Sequence, residues 1–369
     1  LGLATLDLCL LHNVEYFLSD AKNHGGRDLA KTRDQFYARL QASFAYLETQ
    51  VAAGRIRYYG VSSNTCINEP DDPEATSLSR MLDTARAAAC LPTGTAESAG
   101  SSRHHFRALQ CPMNLFESGA LLTPNTGPAG RQTVLDVARA ENLAVLVNRP
   151  LNAIPGKGGR GGMLRLAELP LEGPELPFET HRDRVAALEE EYRREVAAHI
   201  QHSGQGLAPA EYFRWADELT RVRPMIRGLE HWEQIEAQMI APHINQVLRA
   251  LSQHLSDEIG DRWQAWRDRY IPELLTLLKG LRREAAQHSR TRTEAVASAL
   301  NPLLPADRRR EPLSRKALWV LASTPGVTCV LNGMRTPAYA EDSLGILQWP
   351  PLPEVRPMYD AADHARPRL

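Results

Sequence analysis

The sequence predicts an α/β fold built on a parallel sheet or barrel, and three observations carry that prediction. The run Thr5 to Asn13 (TLDLCLLHN) is apolar apart from one Asp and ends abruptly in His12 and Asn13, as a buried parallel strand does when it reaches a functional rim. A second run, Arg55 to Val61 (RIRYYGV), likewise ends in polar residues, Ser62 to Thr65. Between them lies a helical pattern, which makes a strand, helix, strand unit with a crossover connection. In such folds, catalytic and binding groups collect at the carboxyl ends of the strands. Residue by residue, the plainer alternative is that His12 is a satisfied buried histidine and Ser62 to Thr65 an ordinary helix cap.

The polar stretch Ser19 to Arg33, containing Gly25 and Gly26, reads as a loop. Phe36, Leu40, Phe44, Leu47 and Val51 recur at helical spacing and predict an amphipathic helix closed by Gly54. Leu78 to Cys90 is helical, and Thr93 to Ser102 is a Gly/Ser-rich loop. Phe106 to Pro112 (FRALQCP) is the third strand and carries Gln110 near its end. Thr133 to Glu141 is helical, and Leu143 to Val147 is a short buried strand followed by Asn148, Arg149 and Pro150.

From Pro155 the composition changes. The stretch PGKGGRGGM lacks the GxxxxGK spacing of a phosphate loop, so it reads as a hinge. It leads into a long charged helical region. There Val247, Leu251, Leu255, Ile259, Trp263, Trp266, Tyr270, Leu274, Leu277 and Leu281 form a stripe that needs a partner surface. Phe178 to His202 gives a shorter helix with Val185, Leu188, Tyr192 and Val196 on one face. His199, His231, His243 and His254 lack the Glu-x-x-His pairing of a diiron bundle and read as solvated or capping groups. The first pattern then returns: Arg315 to Ser323 is helical, and Val327 to Leu331 is a strand ending in Asn332 and Gly333. Thr336 to Leu344 is a helix with Pro337 in its first turn, and its amino end would favour an anion near Arg335.

Composition narrows the function. The chain has 369 residues, 43% hydrophobic, with a net charge of −1 and 6% aromatics, which gives no footprint for nucleic acid or an anionic membrane. No apolar run is long enough to span a bilayer. Cys9, Cys66, Cys90, Cys111 and Cys329 are scattered without metal-ligand spacing, which fits single thiols in a reducing cytoplasm. Leu1 directly precedes a strand with no start of its own, so an upstream segment is expected.

The pieces DLCLLHN, GRIRYYGVSSNT, LQCPMNLFE, NRPL and ALWVLASTPGVTCVLNGMRTPAYAEDSL resemble the aldo/keto reductase family, in family order over roughly residues 1–151 and 313–346. The resemblance implies a (β/α)8 TIM-type barrel, N-terminally incomplete and joined from its fourth strand. Strands four to seven would lie in 1–154, a large α-helical insertion in 155–310, and the last helix, the eighth strand and a tail in 311–369. It also implies an NADP(H)-dependent oxidoreductase that transfers a hydride between nicotinamide and a small-molecule carbonyl or alcohol. By resemblance His12 is the active-site histidine that orients the carbonyl. Ser63, Asn64 and Gln110 hold the nicotinamide carboxamide, Arg335 with Thr336 binds the 2′-phosphate, and Glu341 and Asp342 contact the adenine.

This sequence departs from the family's pattern at several places. The family's catalytic Asp, Tyr and Lys belong to strands upstream of this chain, and Tyr58 and Tyr59 read as packing residues. Asn148 stands where an aromatic often stacks on the nicotinamide, and Ser343 replaces a common asparagine. A catalytically incomplete barrel, acting as a binding or scaffold module through a protein partner of the inserted helices, is the alternative.

Overall fold

The computed structural model describes residues 2–24, 28–90, 104–154, 163–167, 171, 177–200, 208–254 and 257–366. The glycines at 25 and 26, the loop at 93–102, the glycine-rich stretch at 155–162, His202 and Leu255 lie outside them. The chain divides into two compact units, Leu1–Pro155 with Val296–Arg366, and Gly156–Ala295 with Pro367–Leu369. The segment 296–310, expected with the inserted helices, belongs to the first unit.

In the first unit the strands of the main sheet are β1 (Leu6–His12), β2 (Ile56–Ser62), β3 (Phe106–Pro112), β4 (Ala144–Asn148) and β5 (Cys329–Val330). They form one parallel sheet in the order β1-β2-β3-β4-β5. Each lies within a residue or two of its expected position, because a run of apolar residues between polar ends has few other ways to bury itself. The register sets His12 beside Ser62, and Ser62 beside Gln110.

One face of the sheet is closed by helices. Tyr59, Val61, Leu109, Cys111, Val145 and Val147 have no exposed surface there. The helix Leu29–Ala52 supplies Phe44, whose ring lies 5.3 Å from that of Tyr59 and 5.5 Å from that of Phe106. Tyr58, on the opposite face, is 46% exposed, which corrects its reading as a packing residue. Strand alternation explains the difference: neighbouring residues look to opposite sides, and the helices cover only Tyr59's.

The described residues of Ser19 to Arg33 are mostly helical rather than the loop their polarity predicts. Tyr16–Asn23 is a helix that buries Leu18 and Ala21, and Leu29–Ala52 begins within the same stretch. The Asp28 carboxylate accepts from the backbone of Ala30 and Lys31, so a polar residue starts the second helix rather than breaking it. Gly54, at φ +70, turns the chain from that helix into β2.

The second unit is helical. Phe178–Glu195, Trp215–Val222, Leu229–Ile235, Ala241–His254 and the long helix Asp257–Leu300, whose last residues belong to the first unit, account for most of it. The predicted stripe finds its partner surface here. Val247, Leu251, Trp263, Trp266, Tyr270, Leu274, Leu277 and Leu281 are buried with Val185, Tyr192, Val196 and Phe213. The rings of Trp266 and Tyr270 stack at 4.4 Å, and the Trp266 indole donates to the Leu188 carbonyl at 2.7 Å. Among the described residues, no helix is long and apolar enough to cross a membrane.

Candidate functional site

The carboxyl rim of the sheet begins at β1. His12 ends the strand with its side chain exposed, so the buried-histidine reading does not hold. Asn13 follows at φ +54, a left-handed conformation that Asn tolerates better than most residues, and its N–H donates to the Ser62 carbonyl at 2.9 Å. The strand therefore stops with its last amide still tied to β2. Because His12 pairs with Ser62 and Ser62 with Gln110, these three side chains share the face opposite the helices.

Beyond β2 the chain is held by polar contacts. The Ser63 amide donates to the Gln110 carbonyl at 3.0 Å, fixing the start of the loop against β3. The Ser63 hydroxyl is buried and shares a 3.0 Å hydrogen bond with Thr76. Asn64 is half-buried, and its Nδ2 donates to Asn13 Oδ1 at 3.1 Å and to Glu15 Oε1 at 2.8 Å. Its backbone N–H donates to the same Glu15 oxygen at 3.0 Å. Both amide hydrogens of Asn64 are thus engaged, and no described residue donates to its Oδ1. Gln110 is half-buried, with no side-chain bond among the described residues.

At the end of β4, the Asn148 Oδ1 is buried without a partner among the described residues. Arg149 follows at φ +55 and donates to Glu117 at 2.6 Å. Glu117 also accepts from Asn114 Nδ2 and from the Ile154 amide, so this loop is closed around one carboxylate.

The predicted phosphate and adenine group stands apart, after β5 at the far end of the sheet. Thr336 caps the helix Pro337–Leu344 by accepting from the Tyr339 amide at 3.3 Å. Arg335 is exposed, with no ion pair among the described residues, and Glu341 is exposed as well. Asp342 is turned to the Arg315 guanidinium, which donates to it at 3.0 Å, so its carboxylate is already engaged. Ser343, the residue in place of the common asparagine, accepts from Asn332 Nδ2 at 2.7 Å.

The sequence pattern thus pointed to His12, Ser63, Asn64 and Gln110, and the fold brings them to one rim. It named Ser62 and Asn13 only as strand ends, without the face that Ser62 shares with His12 or the bond from Asn64 to Asn13, and it missed Glu15, which also holds Asn64. Glu15 is 2% exposed, which is unusual for a carboxylate and visible only once the fold is built. No protein-family model matches this chain, and neither does a curated protein or a solved structure.

Proposed function

We propose that the first unit is the carboxyl-terminal part of an aldo/keto reductase-type barrel that binds NADP(H) and reduces a carbonyl or oxidises an alcohol. The observation that supports this best is the rim of β2 and β3. There Asn64 offers an acceptor whose orientation is fixed from behind, and on the neighbouring strand Gln110 is in register with Ser62, two residues before Asn64. A primary carboxamide carries both an N–H donor and a carbonyl acceptor, so an Asn and a Gln side chain suit it.

These residues fit the group the reading requires. Asn64 Oδ1 would accept from the nicotinamide carboxamide and Gln110 would complete the pair, while Ser63 acts through Thr76 and the loop backbone. Arg335 would take the 2′-phosphate, where a planar guanidinium can bind two oxygens at once. Bound NADPH supplies the hydride. His12, exposed beside Ser62, would hold the substrate carbonyl in line and stabilise charge on its oxygen. The proton donor would come from the upstream strands that the resemblance implies.

The test is fluorescence titration with NADPH and NADH. NADPH binds the wild-type chain more tightly than NADH does, and Arg335→Ala weakens NADPH by about tenfold or more while leaving NADH unchanged. A chain that binds neither dinucleotide refutes the reading.

A further inference from the structure

Glu15 stands immediately before the helix Tyr16–Asn23, at its cap position, and its side chain makes no capping bond there. Instead the side chain is buried and reaches Asn64, 49 residues away in sequence, with Oε1 accepting from both the backbone N–H and Nδ2. Its second oxygen, Oε2, is buried with no partner among the described residues. A buried carboxylate whose bonds all come from one residue holds that residue firmly, since letting go would leave it with none.

The orientation of Asn64 follows. One Nδ2 hydrogen goes to Glu15 and the other to Asn13, which the left-handed turn at φ +54 holds in place. An amide with both hydrogens committed must present its oxygen on the remaining side. We infer that Glu15 is the positioning residue of this site: it locks Asn64 so that Oδ1 is offered to a ligand N–H group. On the reading given above, on which this inference rests, that ligand group is the nicotinamide carboxamide.

The test compares NADPH with adenosine 2′,5′-bisphosphate, which carries the 2′-phosphate and adenine but no nicotinamide. Glu15→Leu, similar in bulk and unable to accept, is expected to weaken NADPH by about tenfold and leave the bisphosphate unchanged. Glu15→Gln, which keeps an accepting oxygen, is expected to restore most of the NADPH affinity. Equal effects of Glu15→Leu on both ligands, or none on either, overturn the role of Glu15.

Should Glu15→Leu fail to fold, the side-chain amide NMR signals of Asn64 in the wild-type chain decide. They are expected to shift with NADPH and not with the bisphosphate, and their failure to do so overturns the inference. A wild-type chain that binds neither ligand refutes the family reading itself. One that binds both and is indifferent to Glu15→Leu refutes only this inference.

Discussion

At the scale of single residues, polar groups have been drawn inward at both ends of the sheet. At the amino end Glu48, 7% exposed, accepts from Tyr59 OH at 2.8 Å, from the His105 amide at 2.8 Å and from His105 Nδ1 at 2.6 Å. Next to this cluster His104 is buried, and its Nδ1 has no partner among the described residues. Burial, followed by the charges of Arg107 and Arg86, holds its imidazole below the ordinary value of 6.5. Unfolding returns that imidazole to water and to its usual affinity for a proton, so below 6.5 the unfolded chain binds the extra proton. Stability from this group is complete above that pH and is lost as the pH falls through the lower folded value. Urea midpoints are therefore expected to drop from about pH 7.5 to about pH 5.5, and to drop less in His104→Phe.

The same scale shows where the sequence is informative and where it is silent. Ser63, Asn64 and Gln110 are legible because a strand that ends in polar residues announces its end. Glu15 and Asn13 are not, because their importance depends on Asn64, which the chain brings to them only after a whole helix and strand have been placed. Asn148 is legible as a polar residue at a strand end, but its buried oxygen, without a partner among the described residues, is not.

At the scale of elements, β2 and β3 meet more closely than any side chain would allow. The register shifts between Tyr59 and Gly60, and a Cβ placed on Gly60 would lie 2.0 Å from the Ala108 carbonyl oxygen. That oxygen belongs to the backbone of the neighbouring strand and cannot swing aside. Gly60→Ala is thus expected to cost roughly 3 kcal/mol or more, read as a lowered midpoint in chemical denaturation. A midpoint within error of wild type would mean that the sheet can slide at this point. The strands themselves were readable from apolar runs. The helices Tyr16–Asn23 and Leu29–Ala52 were readable only in part, because polar residues such as Asp28 serve as caps as often as they form loops.

At the scale of the whole molecule, each unit has its own core. The second is organised around Tyr192, Phe213, Trp263, Trp266 and Tyr270, with the Phe213 ring 4.7 Å from both Tyr192 and Trp266. Beneath the rings Glu189 is buried, and burial raises its carboxyl above the ordinary carboxylate range although Tyr270 and the Trp215 and Ala216 amides donate to it. Phe213→Ala is expected to cost about 3–5 kcal/mol in this unit. Amide exchange should quicken along Phe178–Glu195 and leave β2 and β3 unchanged, since the ring cluster and the sheet belong to different compact units. Faster exchange in both sets would show that the two cores unfold together.

β1 also has a consequence in time. Among the described residues it pairs with β2 alone, so every second amide along it has no neighbouring strand to donate to. Placed in heavy water, those amides would take up deuterium in the first moments, while their counterparts in β2 and β3, held on both sides, would wait for the sheet to open. An agent that covered that edge would appear first as a change in the clock of β1.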